Sequence, residues 1–133
     1  MRDFVLPVRV YYEDTDAGGV VYHTGYIRYF ERARTEWLRA LGYSQQKLAQ
    51  EVGVLFTVVE LSVSYMKPAR LDDELQVLAR VDSTGGASLE FGQEVRNAAG
   101  AVLAQARVRV ACVDRESLRP RRLPADLAAR IAA

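Results

Sequence analysis

The sequence predicts an α+β fold with one long helix and a five-stranded antiparallel sheet. Apolar residues recur at helical spacing over residues 25–41, which is the longest helical pattern in the chain. Apolar and polar residues alternate in one segment before this helix and in four segments after it, as half-buried strands require. A sheet of this size has one face to bury, and a single apolar helix can cover it.

The strands are predicted from alternation and from turn residues between them. The first covers residues 7–13, with Val8, Val10 and Tyr12 on one face. Gly85-Gly86 predicts a hairpin turn between two of the later strands. The four later strands are expected to form an antiparallel meander, at 54–66, 74–82, 89–95 and 101–113.

The long helix is predicted to run from Gly25 to about Leu41. Thr24 is its expected N-cap, and Gly42 is a natural stop after its last turn. Two short helices are predicted, at 45–51 with Ser44 as its cap and near 125–132.

Composition excludes several classes of protein. The chain has 133 residues, and half of them are hydrophobic. We therefore expect a single domain over 1–133 with a core that needs no disulfide or metal ion to stabilise it. The net charge is +1 and the basic residues are scattered, which argues against nucleic-acid binding. No apolar run approaches the roughly 20 residues of a membrane helix, and the first residues are too charged for a signal peptide. Because Cys112 is the only cysteine, we expect a buried free thiol and a cytoplasmic location.

Candidate catalytic residues gather in the turn before the long helix. The stretch from Asp14 to His23 contains two aspartates, a glycine pair and the only histidine. The backbone N–H groups from Tyr22 to Gly25 are expected to be free at the helix N-terminus, where the macrodipole favours negative charge. Such donors can stabilise an oxyanion, and a nearby carboxylate can act as a base or nucleophile. A thioester suits this arrangement, because its thiol leaves without a strong proton donor.

Metal sites are not predicted. The pattern that begins at Asp14 starts like a calcium-binding EF-hand loop, but Gly18 and Gly25 stand where that loop needs ligands. One histidine and one cysteine are too few for a zinc site. We therefore expect no metal and no cofactor.

Several candidates also have a purely structural interpretation. Asp14 and Asp16 belong to a residue type that is common in turns for backbone reasons. His23 is equally explained as a residue that caps or hydrogen-bonds the helix start. The basic cluster around Arg119 is either a solvated edge or a contact for phosphate.

Taken together, the motifs resemble those of one enzyme family. They are VRVYYEDTDAGGVVYH at 8–23, then Tyr26, ERARTE at 31–36 and PARLDD at 68–73. These segments closely resemble the Tol–Pal-associated acyl-CoA thioesterases, within the 4-hydroxybenzoyl-CoA thioesterase group of the hotdog fold. The resemblance implies a curved antiparallel sheet wrapped around the long helix. It also implies subunits paired edge to edge, as a homotetramer built from two dimers with sites at the subunit interface.

The same resemblance implies roles for individual residues. Asp16 would be the catalytic carboxylate and Asp14 a supporting residue. The backbone N–H groups of Tyr22 and His23 would polarise the thioester carbonyl, and His23 matches a histidine of the Tol–Pal-associated branch. Tyr26 is expected to contact the substrate.

The implied reaction is hydrolysis of an acyl-CoA thioester to a free acid and a thiol. Arg119 matches a position that contacts the phosphates of coenzyme A in the broader group. The turn at 84–87, Thr-Gly-Gly-Ala, departs from relatives that carry basic residues there, so acyl carrier protein stays open as the carrier. The alternatives are a hotdog dehydratase acting on a 3-hydroxyacyl thioester and a non-catalytic scaffold that binds acyl thioesters.

Overall fold

The computed structural model describes residues 3–133. Its strands are β1 (Phe4–Arg9), β2 (Val54–Tyr65), β3 (Glu74–Thr84), β4 (Ser88–Arg96) and β5 (Val102–Asp114). Its helices are α1 (His23–Ala40), α2 (Gln45–Lys47) and α3 (Ala125–Ala132). A 3₁₀ turn at Tyr12–Asp14 and a π-helical turn at Leu48–Val52 complete the secondary structure.

The five strands form one antiparallel sheet in the spatial order β1-β3-β4-β5-β2. The predicted five-stranded antiparallel sheet is confirmed, but the four-strand meander is wrong. Only β3, β4 and β5 follow one another as neighbours, whereas β2 pairs with β5 at the far edge, from Val54 opposite Asp114 to Tyr65 opposite Ala104. The connection between β2 and β3 must therefore cross the molecule, and it passes the start of α1.

Helix α1 packs against β1, β3 and β4. Its buried apolar side chains meet the inward-facing residues of the sheet, which alternate along β3, β4 and β5 as predicted. Cys112 is fully buried on β5, which confirms that prediction, and burial raises the pKa of its thiol. The buried α1 residues are Tyr26, Tyr29, Phe30, Ala33, Trp37 and Leu38, with Gly25.

The first strand starts and ends earlier than predicted. It covers Phe4–Arg9 rather than 7–13, and Tyr12 is 83% exposed instead of facing the core. The chain leaves the sheet because a side chain closes a turn there. The Asp14 Oδ2 atom accepts a hydrogen bond from the Tyr11 N–H at 2.9 Å. A carboxylate that bonds the backbone in this way competes with strand pairing.

Helix α1 starts two residues earlier than predicted. His23 is its first residue, so the expected cap, Thr24, lies within the first turn. Tyr22 occupies the N-cap position without a side-chain capping bond, and its carbonyl accepts the Gly25 N–H at 2.8 Å. The backbone thus forms the first turn of α1 without a capping side chain.

The predictions for the end of α1 and for the two short helices are confirmed in part. Gly42 adopts a positive φ of 94° just after α1, as a glycine stop requires. The Ser44 Oγ atom accepts the Lys47 N–H at 3.2 Å, as predicted for a cap. The helix predicted at 45–51 is instead one α-helical turn followed by the π-helical turn. The last helix is found as predicted, and it buries Leu127 and Ile131.

Candidate active site

Hydrogen bonds within the loop before α1 fix the position of Asp16. The Asp16 N–H donates to the Val20 carbonyl at 2.9 Å, and the Asp16 carbonyl accepts the Gly19 N–H at 3.0 Å. The Gly18 N–H donates to Asp16 Oδ1 at 2.8 Å. Gly19 has a φ of 76°, which glycine adopts without strain. The loop therefore presents an exposed carboxylate from a hydrogen-bonded backbone.

Asp16 lines a cleft of about 250 Å³ at the start of α1. Two other predicted site residues, His23 and Tyr26, line the same cleft from the first turn of the helix. The remaining wall comes from Val20 and Val21, and from the end of β2 and the connection after it, at Tyr65, Met66, Lys67 and Pro68. The structure thus brings together Asp16, His23 and Tyr26, as the sequence predicted.

Two of the amides expected to be free at the helix start are already bonded. The Tyr22 N–H donates to the Asp14 carbonyl at 3.1 Å, and the Gly25 N–H donates to the Tyr22 carbonyl. The Tyr22 N–H is therefore unavailable to a substrate carbonyl in this conformation, which corrects that expectation. The N–H groups of His23 and Thr24 have no hydrogen-bond partner among residues 3–133. These two amides are the donors that the helix start leaves for a ligand.

Tyr65 on β2 holds His23 in place. Its hydroxyl donates to the His23 carbonyl oxygen at 3.0 Å, and its ring lies 5.0 Å from the imidazole in an edge-to-face arrangement. The Tyr22 ring lies 5.5 Å from the same imidazole. The alternating pattern of residues 54–66 identifies Tyr65 only as one residue of a strand face. Its contact with the helix start follows from the crossing of β2 to the far edge, which was not predicted.

Tyr26 joins the helix to the connection that closes the cleft. Its side chain is 3% exposed, and its hydroxyl accepts the Ala69 N–H at 2.9 Å. Burial raises the pKa of the Tyr26 hydroxyl, while the bond from Ala69 opposes that shift. The Val21 N–H donates to the Ala69 carbonyl at 2.9 Å, so both backbone groups of Ala69 are satisfied at the cleft wall.

Asp14 does not line the cleft, and it is 7% exposed. Its carboxylate holds the turn at Tyr11, and its carbonyl holds Tyr22. The nearby Tyr29 hydroxyl is buried and makes no hydrogen bond of standard geometry among residues 3–133. Burial, and then the Asp14 carboxylate, raise the pKa of that hydroxyl. Asp14 is thus placed to hold the loop against the helix, away from the cleft surface.

Arg119 lies outside the cleft. It follows β5, where its carbonyl accepts the Asp114 N–H at 2.8 Å and its N–H donates to Ser117 Oγ at 3.3 Å. The turn at 84–87 borders a separate cavity of about 600 Å³ beside α3, and Arg122 lines that cavity. Within one subunit, Arg119 and Asp16 therefore do not share a cleft.

Residues 3–133 contain no group of three or more histidine, cysteine, aspartate or glutamate side chains that could hold a metal ion. Within the same range, no helix has both the length and the apolar character needed to cross a membrane.

Comparison with known proteins identifies the family. The family model described as "Thioesterase-like superfamily" matches residues 10–131. The chain is 51% identical over 126 residues to the acyl-CoA thioester hydrolase YbgC of Escherichia coli O6:H1, covering 95% of this chain and 93% of that protein. It is 48% identical to the acyl-CoA thioesterase YbgC of Haemophilus influenzae, with coverage of 95% and 92%.

The fold agrees with solved structures. A DHNA-CoA thioesterase from Staphylococcus aureus superposes with a TM-score of 0.92 at 24% identity, covering 99% of this chain and 90% of the other. The predicted hotdog arrangement, an α+β fold with one long helix against a five-stranded antiparallel sheet, is thereby confirmed. The chain belongs to the thioesterase-like superfamily.

Proposed function

We propose that the protein is an acyl-CoA thioester hydrolase in which Asp16 is the catalytic carboxylate. One observation carries this proposal. The Asp16 side chain lines the same cleft as His23, at a helix start where two backbone N–H groups have no partner among residues 3–133. A thioester carbonyl needs both a nucleophile or base and oxyanion donors, and this cleft offers them from separate elements. The names of the relatives support acyl-CoA as the substrate class.

The reaction proceeds with the thioester carbonyl oxygen accepting hydrogen bonds at the start of α1. In one route Asp16 takes a proton from water, the water oxygen attacks the carbonyl carbon, and the carbon–sulfur bond breaks. The departing sulfur takes up the proton, which gives a free acid and a thiol. In the other route an Asp16 oxygen attacks the carbonyl carbon, and the carbon–sulfur bond breaks with a thiolate leaving. Water then hydrolyses the resulting mixed anhydride to the free acid, which restores the Asp16 carboxylate and supplies the proton that the thiolate takes up. The helix dipole favours the negative charge that develops on oxygen in both routes.

His23 and Tyr26 are proposed to position the substrate. The His23 imidazole stands beside Tyr65 at the rim, where it can hydrogen-bond an acyl or pantetheine group. Tyr26 forms part of the buried wall, so its ring is placed to contact the acyl group. Tyr22 is proposed to contact the substrate through its exposed ring, because its N–H already donates to the Asp14 carbonyl.

The assembly and cellular setting are also proposals. We infer a single domain over 1–133 that forms a homotetramer in the cytoplasm and is associated with the Tol–Pal system. In such an assembly Arg119 would reach the coenzyme A phosphates at a site shared with another subunit. Acyl carrier protein remains an alternative carrier, because the turn at 84–87 offers no basic side chain.

Hydrolysis of short-chain and long-chain acyl-CoA by the purified protein tests the proposal, with thiol release as the readout. Asp16→Asn keeps the shape of the side chain and removes its basicity, so we expect a loss of at least about 10²-fold in kcat. Glu13→Gln is the matched control, because Glu13 is an exposed carboxylate of the preceding turn. Full activity of Asp16→Asn would refute the assignment. An enoyl product formed from a 3-hydroxyacyl-CoA, with loss of water and no thiol release, would instead favour a dehydratase. Binding of acyl-CoA without turnover would favour a scaffold.

A further inference from the structure

A turn at residues 68–73, with the sequence PARLDD, lies against the loop before α1, and we term it the brace turn. The Val21 N–H donates to the Ala69 carbonyl at 2.9 Å. Two residues away on each segment, the Leu71 N–H donates to the Gly19 carbonyl at 3.4 Å. These two bonds lie on either side of an antiparallel bridge, so the brace turn and the loop are paired as two short strands.

The residues of the bridge, Val20 and Arg70, extend this pairing to Asp16. Because the two bonds that define the bridge come from its neighbours, the backbone groups of Val20 and Arg70 are left to bond elsewhere. The Val20 carbonyl accepts the Asp16 N–H at 2.9 Å. The position of the Asp16 backbone therefore depends on Val20, which is itself held against the brace turn. The same turn begins at Pro68, so it also continues one wall of the cleft.

Asp73 closes the brace turn on the side away from the loop. The Arg70 N–H donates to Asp73 Oδ2 at 2.9 Å, and the Asp73 N–H donates to the Arg70 carbonyl at 3.1 Å. The Asp73 side chain is partly buried, whereas Arg70 and Asp72 are exposed. An aspartate that accepts a backbone N–H in this way favours one turn conformation over others. Its bond therefore fixes Arg70, the residue that meets Val20 of the loop.

The brace turn is also attached to the end of the first strand segment. The Val10 N–H donates to the Asp73 carbonyl at 2.9 Å, and the Asp72 N–H donates to the Val10 carbonyl at 3.0 Å. Val10 is fully buried. The turn is thus anchored to the core on one side and supports the loop on the other.

We propose that Asp73 is a positioning residue for thioester hydrolysis, which acts through Arg70 and Val20 to hold Asp16 at the start of α1. This inference rests on the proposed function of Asp16. Asp73 does not line the cleft, so its effect on the reaction passes through the two paired segments. A shift of about 1 Å in a reacting group can lower a rate by about 10²-fold, so loss of the Asp73 bond should slow the chemical step.

Replacements of Asp73 separate the hydrogen bond from the negative charge. Asp73→Ala removes the acceptor, and kcat for an acyl-CoA that the wild type hydrolyses should fall at least about tenfold, with KM within about threefold. Asp73→Asn removes the charge but keeps an oxygen that accepts the Arg70 N–H, so kcat should return to within about threefold of the wild type. Asp72→Asn is the matched control, because it removes the neighbouring exposed charge and asparagine tolerates the φ of 71° there.

Hydrogen exchange of the full-length protein, followed by mass spectrometry, tests the position of the loop without turnover. In Asp73→Ala the segment at 14–22 should exchange at least about tenfold faster than in the wild type. Leu127→Ala controls for a general loss of stability. Among residues 3–133, those that line the cleft include none from α3, so this variant should keep the kcat of the wild type. If Asp73→Ala does not fold, Asp73→Glu replaces it, because it keeps the charge and displaces the acceptor; its kcat should lie below that of Asp73→Asn.

Three results would overturn the inference. They are a wild-type kcat in folded Asp73→Ala, a wild-type exchange rate at 14–22 in that variant, and a kcat of Asp73→Asn no higher than that of Asp73→Ala or Asp73→Glu. If the wild type hydrolyses no thioester, the proposed function fails instead. The exchange experiment then decides alone whether Asp73 holds the loop.

Discussion

Replacement of Tyr26 by phenylalanine tests how the cleft wall is held. The Tyr26 hydroxyl is the side-chain acceptor for the Ala69 N–H, and both residues are buried. Tyr26→Phe leaves that N–H without a partner in a place that water does not reach. An unsatisfied buried backbone donor costs about 1–3 kcal/mol, so we expect the free energy of unfolding to fall by that amount.

The assay is urea unfolding followed by circular dichroism, at one fixed protein concentration because subunit association would add to stability. Tyr12→Phe is the matched control, since the Tyr12 side chain is 83% exposed, and its effect should stay within about 0.5 kcal/mol. A loss no larger than that of Tyr12→Phe would refute the view that the Ala69 bond fixes the wall. Thiol release should also fall in Tyr26→Phe, because the connection beside Asp16 loses its attachment to α1.

Two further predictions concern stability. Burial raises the pKa of Tyr29 above its usual value of 10.0, so above about pH 10 the unfolded chain releases a proton that the folded protein keeps. Stability should therefore decline as pH rises past 10, and urea unfolding at pH 9 to 11 should show a smaller decline in Tyr29→Phe; an equal decline would contradict the assignment. Leu127 on α3 is fully buried, and Leu127→Ala should lower the free energy of unfolding by about 2–5 kcal/mol. The partly exposed Leu71 supplies the control, and similar losses for both alanine variants would show that α3 adds little to the core.

The long-range arrangement was only partly predictable from local patterns. Alternation along β3, β4 and β5 identified their buried faces, because each inward residue packs on α1 or on a neighbouring strand. The place of β2 was mispredicted, since alternation carries no information on which neighbour a strand pairs with. The pairing of Tyr65 with Ala104 is the consequence that matters most, because it brings the Tyr65 hydroxyl to the start of α1.

The predicted end of the first strand was wrong because a side chain forms a hydrogen bond with the backbone there. Residues 10–13 continue the alternation of a strand, yet the Asp14 carboxylate takes the Tyr11 N–H and turns the chain out of the sheet. Pro7 lies inside β1, where the edge of the sheet tolerates its missing donor. The same carboxylate residue binds the Tyr22 N–H through its carbonyl, which is why that amide is not free.

The clustering of candidate residues was predictable because they are close in sequence. Asp16 and His23 lie on either side of one short loop, and the turn predicted from Gly18 and Gly19 brings them to one cleft. Arg34 and Gln93 are far apart in the chain, and their hydrogen bond depends on how α1 lies across β4. In the sequence Arg34 is only one polar residue of an amphipathic helix, and that pattern has no feature that marks a partly buried cation.

The rate of thiol release in a single turnover tests whether Asp16 is the catalytic carboxylate. With enzyme in excess over an acyl-CoA that the wild type hydrolyses, the rate of thiol release reports on chemistry rather than on product release. We predict that Asp16→Asn lowers this rate at least about 10²-fold while Glu13→Gln leaves it unchanged. A folded Asp16→Asn protein that releases thiol at the wild-type rate would contradict the account and place the catalytic carboxylate elsewhere.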